Sequence, residues 1–305
     1  MLAIIGSEHE RLTGRARRVL GCLRHERHLS CRVPPGDAER DAPRRPVDRD
    51  RRPAPPGFSR HREPQVLLRV AEVLGHGEDR PWLLLIDAGQ PIGALGNPPG
   101  SWLNALPLYA ELQRGETAQV EDHLLHGVPD LRLPTLPDRY EDLVRRQLPL
   151  KDNEITRMRR FTHQFTRLCE DLSTRGVPET IQHDDLHDGQ VFVRDGRYRF
   201  FDWGDSCVSH PFHSLTVTLR AVAWKLGLKP GGPDLRRLRD AYLEPFGELN
   251  EAADIAYRTG TVARSLAWHR MIAARPPELV DEDDATAVAY GLKLFLGGGP
   301  IGTFG

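Results

Sequence analysis

The chain has 305 residues, of which 39% are hydrophobic and 28% charged, and its formal net charge is -1. This composition is typical of a globular protein that can bury a large core. A net charge near zero gives no general attraction to nucleic acid or to an anionic membrane surface, so we expect neither as a partner. No apolar run approaches the length of a membrane span.

The four cysteines form no C-x-x-C pair, which argues against a zinc ribbon and against a disulfide framework. They are Cys22, Cys31, Cys169 and Cys207. The first residues also lack an apolar run long enough for a secretion signal. A reducing cytoplasmic location is therefore expected.

Residues 1–62 are predicted to be a largely disordered segment rich in arginine and proline. They contain fifteen arginines against eight acidic residues, and seven prolines fall between positions 34 and 57. Residues 34–57 cannot bury enough apolar surface to offset the entropy lost on ordering. An arginine-rich arm for nucleic acid is the alternative, but no aromatic residues interleave the charges, so a solvated tail is favoured.

Order is predicted to resume at Glu63. Residues 63–74 repeat apolar residues at helical spacing, which predicts a helix. Residues 81–89, PWLLLIDAG, form a continuous apolar run that ends in Asp-Ala-Gly, as a buried strand followed by a turn would. We therefore expect a helix, a strand and a turn in this order.

The following part of the chain is predicted to be mostly helical. Ser101 is expected to cap a helix that ends near Gly115, and a longer helix is expected to stop at Gly176. Four more helical segments are predicted after Pro211. The apolar stripe of the longer helix consists of Ile155, Met158, Phe165, Leu168 and Leu172.

A β-hairpin is predicted around Asp195-Gly196, because this pair stands between two runs of aromatic and β-branched residues. The hairpin would make Asp188, before its first strand, and Asp202, after its second, neighbours at one end. A small mixed region followed by a larger helical one predicts an α+β fold with two lobes.

Two acidic loops held together in this way suit a divalent cation. Mg²⁺ takes oxygen ligands from one or two carboxylates and completes its shell with water and phosphate oxygens. Without such a partner, carboxylates this close would mainly repel one another. The sequence therefore predicts metal-assisted phosphate chemistry.

Two segments carry a resemblance to a known family. His183-Asp184-Asp185-Leu186-His187-Asp188-Gly189-Gln190 resembles the catalytic loop H-G-D-x-x-x-x-N of the aminoglycoside phosphotransferase family of small-molecule kinases. Phe201-Asp202-Trp203-Gly204-Asp205 resembles the I-D-W-G-D metal-binding segment of that family, at the expected distance. The likeness extends from about Glu63 to the C-terminus and is looser over the last hundred residues.

The resemblance implies a protein-kinase-like fold with a small, incomplete N-terminal lobe and a large, mainly helical C-terminal lobe. Residues 1–62 would precede the lobes, residues 63–95 would be a remnant N-lobe with its hinge, and residues 96–305 would form the C-lobe. It also implies ATP and Mg²⁺ as cofactors, a small molecule with a hydroxyl group as acceptor, and a monomer or weak homodimer.

The resemblance assigns roles to single residues. Asp185 would accept the proton of the acceptor hydroxyl, and His183 would brace the loop through hydrogen bonds. Asp202 and Gln190 would bind the metal.

Further roles fall on the segment before the helical lobe. Ile86, Asp87 and Ala88 would form the hinge that holds the adenine, and Glu63 would be the counterpart of the family's helix glutamate.

The sequence departs from the family pattern at several positions. Gln190 replaces asparagine, which moves the ligand oxygen by roughly 1.5 Å, and Asp184 and Asp188 replace glycine and proline. No lysine precedes Lys151, although the family needs one on a strand over the phosphates. Arg52 is the nearest substitute by position.

Two explanations of the missing lysine stay open. Either the nucleotide lobe is degenerate, or residues 1 to about 55 do not descend from the family's N-lobe. Both predict weak or absent catalysis, so a pseudokinase that binds nucleotide without turnover is the alternative function.

Simpler interpretations apply to several other polar and aromatic residues. His183 and His187 are expected to be ordinary hydrogen-bonding histidines, and acidic residues 278–284 to occupy a helix first turn rather than a pocket for a cationic acceptor. The aromatic side chains expected in the core are Trp224, Trp268 and Tyr290. The aspartates expected to be solvated or turn-forming are Asp184, Asp188 and Asp205.

Overall fold

The computed structural model describes residues 3–6, 69–70, 73–76, 82–247, 249–276, 278, 280 and 282–302. In this part of the chain, short strands come first and helices dominate from residue 99 onward. The α+β class predicted from the sequence is confirmed. No helix among these residues is both long enough and apolar enough to cross a membrane.

A three-stranded antiparallel sheet comes first, with β1 (Ala3–Gly6), β2 (Val73–His76) and β3 (Trp82–Leu85) in the order β1-β3-β2. Leu85 pairs with Ala3 on one side and with Val73 on the other. The strand predicted in PWLLLIDAG is confirmed at β3. The helix predicted over 63–74 is wrong at Val73 and Leu74, because both join the sheet, and most of it lies outside the described residues.

β1 falls inside residues 1–62, and the rest of that segment lies outside the described residues. The domain boundaries at 62 and 95 therefore stay predictions. Arg52 and Glu63 are also outside the described part of the chain.

The helical region begins at α1 (Pro99–Gly115), which starts two residues before the predicted cap at Ser101. Pro99 fixes the backbone angle of the first turn, so the helix begins there and Ser101 lies within it. The helices that follow are α2 (Val120–Leu125), α3 (Leu136–Arg145), α4 (Asp152–Ser173), α5 (Ser214–Leu226), α6 (Pro233–Leu243), α7 (Asn250–Ala273) and α8 (Glu282–Gly297). The predicted long helix and the four helices after Pro211 are confirmed.

The apolar stripe of α4 explains its place in the core. Met158, Phe165 and Leu172 are buried, whereas Ile155 and Leu168 are partly exposed. Phe165 packs against Tyr140 of α3. The stripe thus joins this helix to the large hydrophobic cluster of the helical region.

The predicted hairpin is confirmed as β6 (Val191–Arg194) and β7 (Arg197–Phe200), preceded by two short strands, β4 (Gln90–Pro91) and β5 (Thr180–Gln182). Arg194 pairs with Arg197, which leaves Asp195 and Gly196 as a two-residue loop. Both loop residues have positive φ, 51° and 74°, as a type I′ turn requires.

Two strand pairings place the catalytic-loop segment. β4 pairs with β6, so the chain after β3 joins the hairpin. β8 (Cys207–Ser209) pairs antiparallel with β5, the strand that ends directly before His183. The segment His183–Gln190 is therefore held between a hairpin and a second strand pair.

Candidate functional site

His183 is fully buried and both of its ring nitrogens are engaged. Nε2 donates to the carbonyl of Phe201, and Nδ1 accepts the backbone N–H of Asp185 at 3.3 Å. This arrangement requires a neutral ring with its proton on Nε2. Burial lowers the pKa of His183 to about 4. His183 therefore links the catalytic-loop segment to the residue just before Asp202.

Asp184 has a left-handed backbone, with φ 64°. Glycine adopts this conformation at little cost, and the resembled family has glycine at this position. The aspartate is held in place by a reciprocal pair of hydrogen bonds with Gln182, at 2.8 and 2.9 Å. Local side-chain bonding of this kind is what allows aspartate to occupy the left-handed region.

The expectation that Asp184 and Asp188 are solvated is wrong, because both are buried. Only 3% of Asp184 is exposed, and burial raises the pKa of its carboxyl group to about 6. Its left-handed backbone agrees with the second possibility given for Asp184, that it forms a turn. Burial of an acid requires a nearby positive charge or hydrogen-bond donors.

The carboxylate of Asp185 presents its two oxygens to different neighbours. Oδ1 accepts a hydrogen bond from Nη2 of Arg264 at 2.8 Å. Oδ2 lies 3.8 Å from Nε2 of His187, a partly exposed ring whose Nδ1 accepts the N–H of Gly189. Burial raises the pKa of Asp185, and the charge of Arg264 opposes that rise. One oxygen is thus fixed, and the other has no close hydrogen bond within the described part of the chain.

Gln190 and Asp202, the two predicted metal ligands, lie side by side. Nε2 of Gln190 donates to Oδ2 of Asp202 at 3.1 Å, and the carbonyl of Gln190 accepts the N–H of Phe201. Asp202 has a left-handed backbone, with φ 59°, where the chain leaves the hairpin. Burial raises the pKa of its carboxyl group.

Asp188, predicted to be the neighbour of Asp202, bonds to the loop before α1. Its Oδ2 accepts from Nδ2 of Asn97 at 2.7 Å, and its carbonyl accepts the N–H of Gly93. Nζ of Lys225 lies 3.7 Å from the same Oδ2. Asp188 thus fastens this loop to the catalytic-loop segment.

The aspartates of the site differ in their access to positive charge. Arg264 forms ion pairs with Asp184, Asp185 and Asp205. Among the described residues, no arginine or lysine pairs with Asp202. A desolvated carboxylate beside a carboxamide group is a set of hard oxygen donors that fits Mg²⁺.

The described residues contain no group of three or more His, Cys, Asp or Glu side chains arranged to hold a metal by themselves. Mg²⁺ in phosphate-handling sites takes only one or two protein carboxylates, and phosphates and water supply the rest. Asp202 supplies one such carboxylate, and the carboxamide of Gln190 lies beside it.

The predicted adenine hinge lies against the hairpin. Ala88 is buried in one apolar cluster with Leu85 and Phe201, and Arg194 of the hairpin bonds to both the carbonyl and the carboxylate of Asp87. Ile86 follows β3 directly.

The turn after this hinge needs glycine. Gly89 has φ 93°, and a Cβ atom there would stand 2.2 Å from the carbonyl oxygen of Val193. The N–H of Gly89 bonds to the carboxylate of Asp87, and this bond holds the pKa of Asp87 below its usual value.

The prediction that acidic residues 278–284 occupy the first turn of a helix is confirmed in part. α8 begins at Glu282, and Oδ2 of Asp284 pairs with Arg275 at 2.5 Å. Asp284 is therefore engaged by an arginine of the same protein rather than left for a cationic acceptor.

The aromatic residues expected in the core are distributed differently. The prediction is wrong for Trp224, which is 68% exposed. Trp268 and Tyr290 are partly exposed, and each has an arginine over its ring, Arg264 at 5.0 Å and Arg220 at 5.2 Å. These rings combine packing with cation contact.

Arg264 is the residue that sequence reasoning missed. It lies 79 positions from Asp185 along the chain and on a helix whose pattern is that of an ordinary packed helix. An arginine in the middle of a buried helix face is the one local signal, because arginine is rarely buried unless paired.

The family described as the phosphotransferase enzyme family, abbreviated APH, matches residues 64–255. The chain belongs to this family. No curated protein sequence matches the chain significantly.

Solved structures with a similar fold include kinases of small amino alcohols. An ethanolamine kinase from Plasmodium vivax has a TM-score of 0.52 and 11% identity, over 74% of this chain and 68% of that chain. A choline kinase, LicA, from Streptococcus pneumoniae has a TM-score of 0.48 and 13% identity, over 75% and 76% of the two chains. At such identity the first similarity shows the fold alone, and it confirms the predicted kinase-like fold.

Proposed function

We propose that the chain uses ATP and Mg²⁺ to phosphorylate a hydroxyl group of a small polar molecule, an aminoglycoside-like compound or another metabolite. Family membership supports phosphotransfer. The observation that carries the proposal is which carboxylates of the site pair with an arginine and which one does not. Arg264 pairs with Asp184, Asp185 and Asp205, and Asp202 lies beside Gln190 without an arginine or lysine partner among the described residues.

In the proposed reaction, Oδ2 of Asp185 accepts the proton of the acceptor hydroxyl. The hydroxyl oxygen then forms a bond to the γ-phosphorus, the bond from that phosphorus to the β-phosphate oxygen breaks, and ADP leaves. Bound Mg²⁺ supplies charge neutralisation on the phosphate oxygens. Asp202 and Gln190 hold it, and His183 keeps Asp185 and Asp202 in register through its two ring nitrogens.

The nucleotide base is assigned to the hinge, Ile86, Asp87 and Ala88. Its contacts with Arg194 and Phe201 support this assignment, because they connect the hinge to the hairpin that leads into Asp202. Glu63 keeps its proposed role as the helix glutamate. With the hinge at Ile86, Asp87 and Ala88, the base would lie on one side of the hairpin and the phosphates on the other.

The direct test is transfer of labelled γ-phosphate from ATP to a panel of amino alcohols, amino sugars and other polyols in the presence of Mg²⁺. We expect Asp185→Asn to lower the rate by on the order of 1,000-fold. Asp195→Asn is the matched control, since this side chain is 90% exposed at the hairpin tip and should leave the rate unchanged. If no acceptor in the panel receives phosphate, the proposal is refuted.

The alternative is a pseudokinase that binds nucleotide without turnover. The observation that favours it is the lack of any lysine before Lys151. It predicts saturable binding of Mg-ATP, abolished in Asp202→Asn, together with no transfer to any acceptor. Binding with transfer would exclude this alternative.

We also propose a reducing cytoplasmic location and a monomer or weak homodimer. Cys169 and Cys207 are both buried as free thiols, which agrees with the first point. Burial raises the pKa of Cys169 to about 12, so this thiol is unreactive. Nucleic acid and membranes are not proposed as partners.

A further inference from the structure

Arg264 lies in the middle of α7 and is almost fully buried. Its Nη1 pairs with Asp184 at 3.1 Å and with Asp205 at 3.4 Å, and its Nη2 pairs with Asp185 at 2.8 Å. One guanidinium group therefore joins α7 to two separate acidic segments. A planar fork with donors at fixed angles suits this task, and a lysine ammonium does not.

The guanidinium plane is fixed from other directions as well. Its central carbon stands 5.0 Å from the centre of the Trp268 ring, one turn further along the same helix. Nε is buried and finds no hydrogen-bond partner among the residues that the structure describes. Leaving that donor without a hydrogen bond costs free energy. The contacts of Nη1 and Nη2, and not Nε, therefore set the position of Arg264.

The division between the two Nη atoms determines what each carboxylate can do. Nη1 serves Asp184 and Asp205, neither of which has a role in the proposed reaction. Nη2 serves only Oδ1 of Asp185, which leaves Oδ2 on the side of the partly exposed His187 ring. The carboxylate of Asp185 therefore has a defined orientation before any substrate arrives.

We propose that Arg264 is a positioning residue for phosphoryl transfer, which holds Oδ1 of Asp185 so that Oδ2 faces the acceptor hydroxyl. This inference rests on the proposed function, because it requires Asp185 to act as the proton acceptor. Arg264 itself touches neither acceptor nor nucleotide in this account. It acts through Asp185.

The test is steady-state transfer kinetics of Arg264→Lys. The lysine keeps the charge but cannot bond Asp185 and Asp184 in the same geometry. Misplacing a reacting group by about 1 Å costs on the order of 100-fold in rate. We expect kcat to fall by about that factor while KM for the acceptor and for ATP changes less than about threefold.

The matched control is Arg175→Lys. Arg175 also pairs with two carboxylates, Asp171 and Glu251, but it lies partly exposed on a different surface. Its kcat and KM are expected to equal those of the unmodified chain. A loss of the same size in both variants would mean that arginine content matters only for stability, and would overturn the inference.

A second variant covers the case in which Arg264→Lys does not fold. Arg264→Gln combined with Asp184→Asn and Asp205→Asn removes the arginine together with two of the carboxylates that need it. Asp185 still loses its Nη2 bond, so we again expect about a 100-fold fall in kcat with little change in KM. A kcat within threefold of the unmodified chain would overturn the inference.

The two proposals fail in different ways. If the unmodified chain transfers phosphate and the Arg264 variants do so at the same kcat, only the positioning role is wrong. If the variants raise KM and keep kcat, Arg264 binds the acceptor instead, which also overturns the positioning role. If the unmodified chain transfers nothing to any acceptor, the proposed function is wrong and the positioning role falls with it.

Discussion

The carboxylates of Asp184, Asp185 and Asp205 meet the guanidinium group of Arg264, whereas the carboxylate of Asp202 lies beside the amide of Gln190. Burial raises the pKa of Asp185 and of Asp202 alike, but only for Asp185 does Arg264 oppose the rise. Each carboxylate of the first group has a guanidinium partner, and the carboxylate of Asp202 has none among the described residues. On the proposed function, we therefore expect a cation beside Asp202 rather than beside the group around Arg264.

The largest expected effect follows from removing the charge that completes the first group. Arg264→Met leaves three carboxylates without their shared partner, and breaking a buried ion pair from one side costs about 3–5 kcal/mol. We expect this loss in the free energy of unfolding, measured with urea. Arg175→Met, at a surface pair, should cost less than about 1 kcal/mol. Equal losses would show that Arg264 is no more important to stability than a surface arginine.

His213 is a buried titratable group that forms no ion pair within the described part of the chain. Its ring lies between the hydroxyl groups of Ser209 and Thr259, at 2.8 and 2.9 Å, and burial lowers its pKa to about 3 from 6.5. A lowered pKa means that the unfolded chain binds the proton more readily. The stability that the neutral ring contributes is therefore complete above pH 6.5 and is lost as the pH falls toward 3.

From pH 7 to pH 5 this one group should cost about 2 kcal/mol of unfolding free energy. Urea unfolding at the two pH values measures the difference. His213→Gln, which cannot take up the proton, should show a smaller fall by that amount. The same fall in both proteins would mean that His213 is not neutral in the folded state.

Asp202→Asn should act in the opposite direction to Arg264→Met. Without metal, the variant loses a desolvated charge that has no arginine or lysine among the described residues, and we expect it to be more stable by about 1 kcal/mol. Adding Mg²⁺ with a non-hydrolysable ATP analogue should raise the melting temperature of the unmodified chain and leave that of the variant unchanged. Asp195→Asn serves as the control and should respond like the unmodified chain. A metal-free variant less stable than its parent would contradict the charge assignment.

The smallest expected effect concerns Gln190. Gln190→Asn shortens the side chain to that of the resembled motif, and we expect the Mg²⁺ concentration for half-maximal transfer to fall by on the order of threefold. A metal titration of the transfer rate measures it. A large increase in the Mg²⁺ requirement would indicate that the longer side chain is needed where it is.

The hairpin was predictable because its signal is local. Asp195 and Gly196 require positive φ, and the β-branched and aromatic residues on either side need no distant partner to form strands. The same holds for α4, whose stripe and ends were readable from spacing alone. Segments whose structure depends on neighbours were predicted less well, as Val73 and Leu74 show by joining a sheet from a helix-like pattern.

The motif located Asp185 and Asp202, but it did not reveal which side chains each of them contacts. Arg264 reaches the loop across 79 residues of sequence, and no local spacing connects the two. The residue type of Asp184 predicts a solvated or turn-forming carboxylate, yet it is buried and pairs with that same arginine. The helical position of Trp224 predicts a core residue, yet its side chain is exposed. Tertiary contacts decide all three.

On the proposed function, Asp202, and not the group around Arg264, takes the metal. Water-proton relaxation during a Mn²⁺ titration, with a non-hydrolysable ATP analogue present, reports metal bound to the protein complex. We expect Asp202→Asn to weaken Mn²⁺ binding by on the order of 100-fold, whereas Asp205→Asn and Asp195→Asn bind as the unmodified chain does. Equal weakening in Asp205→Asn and Asp202→Asn, or none in Asp202→Asn, would contradict the account.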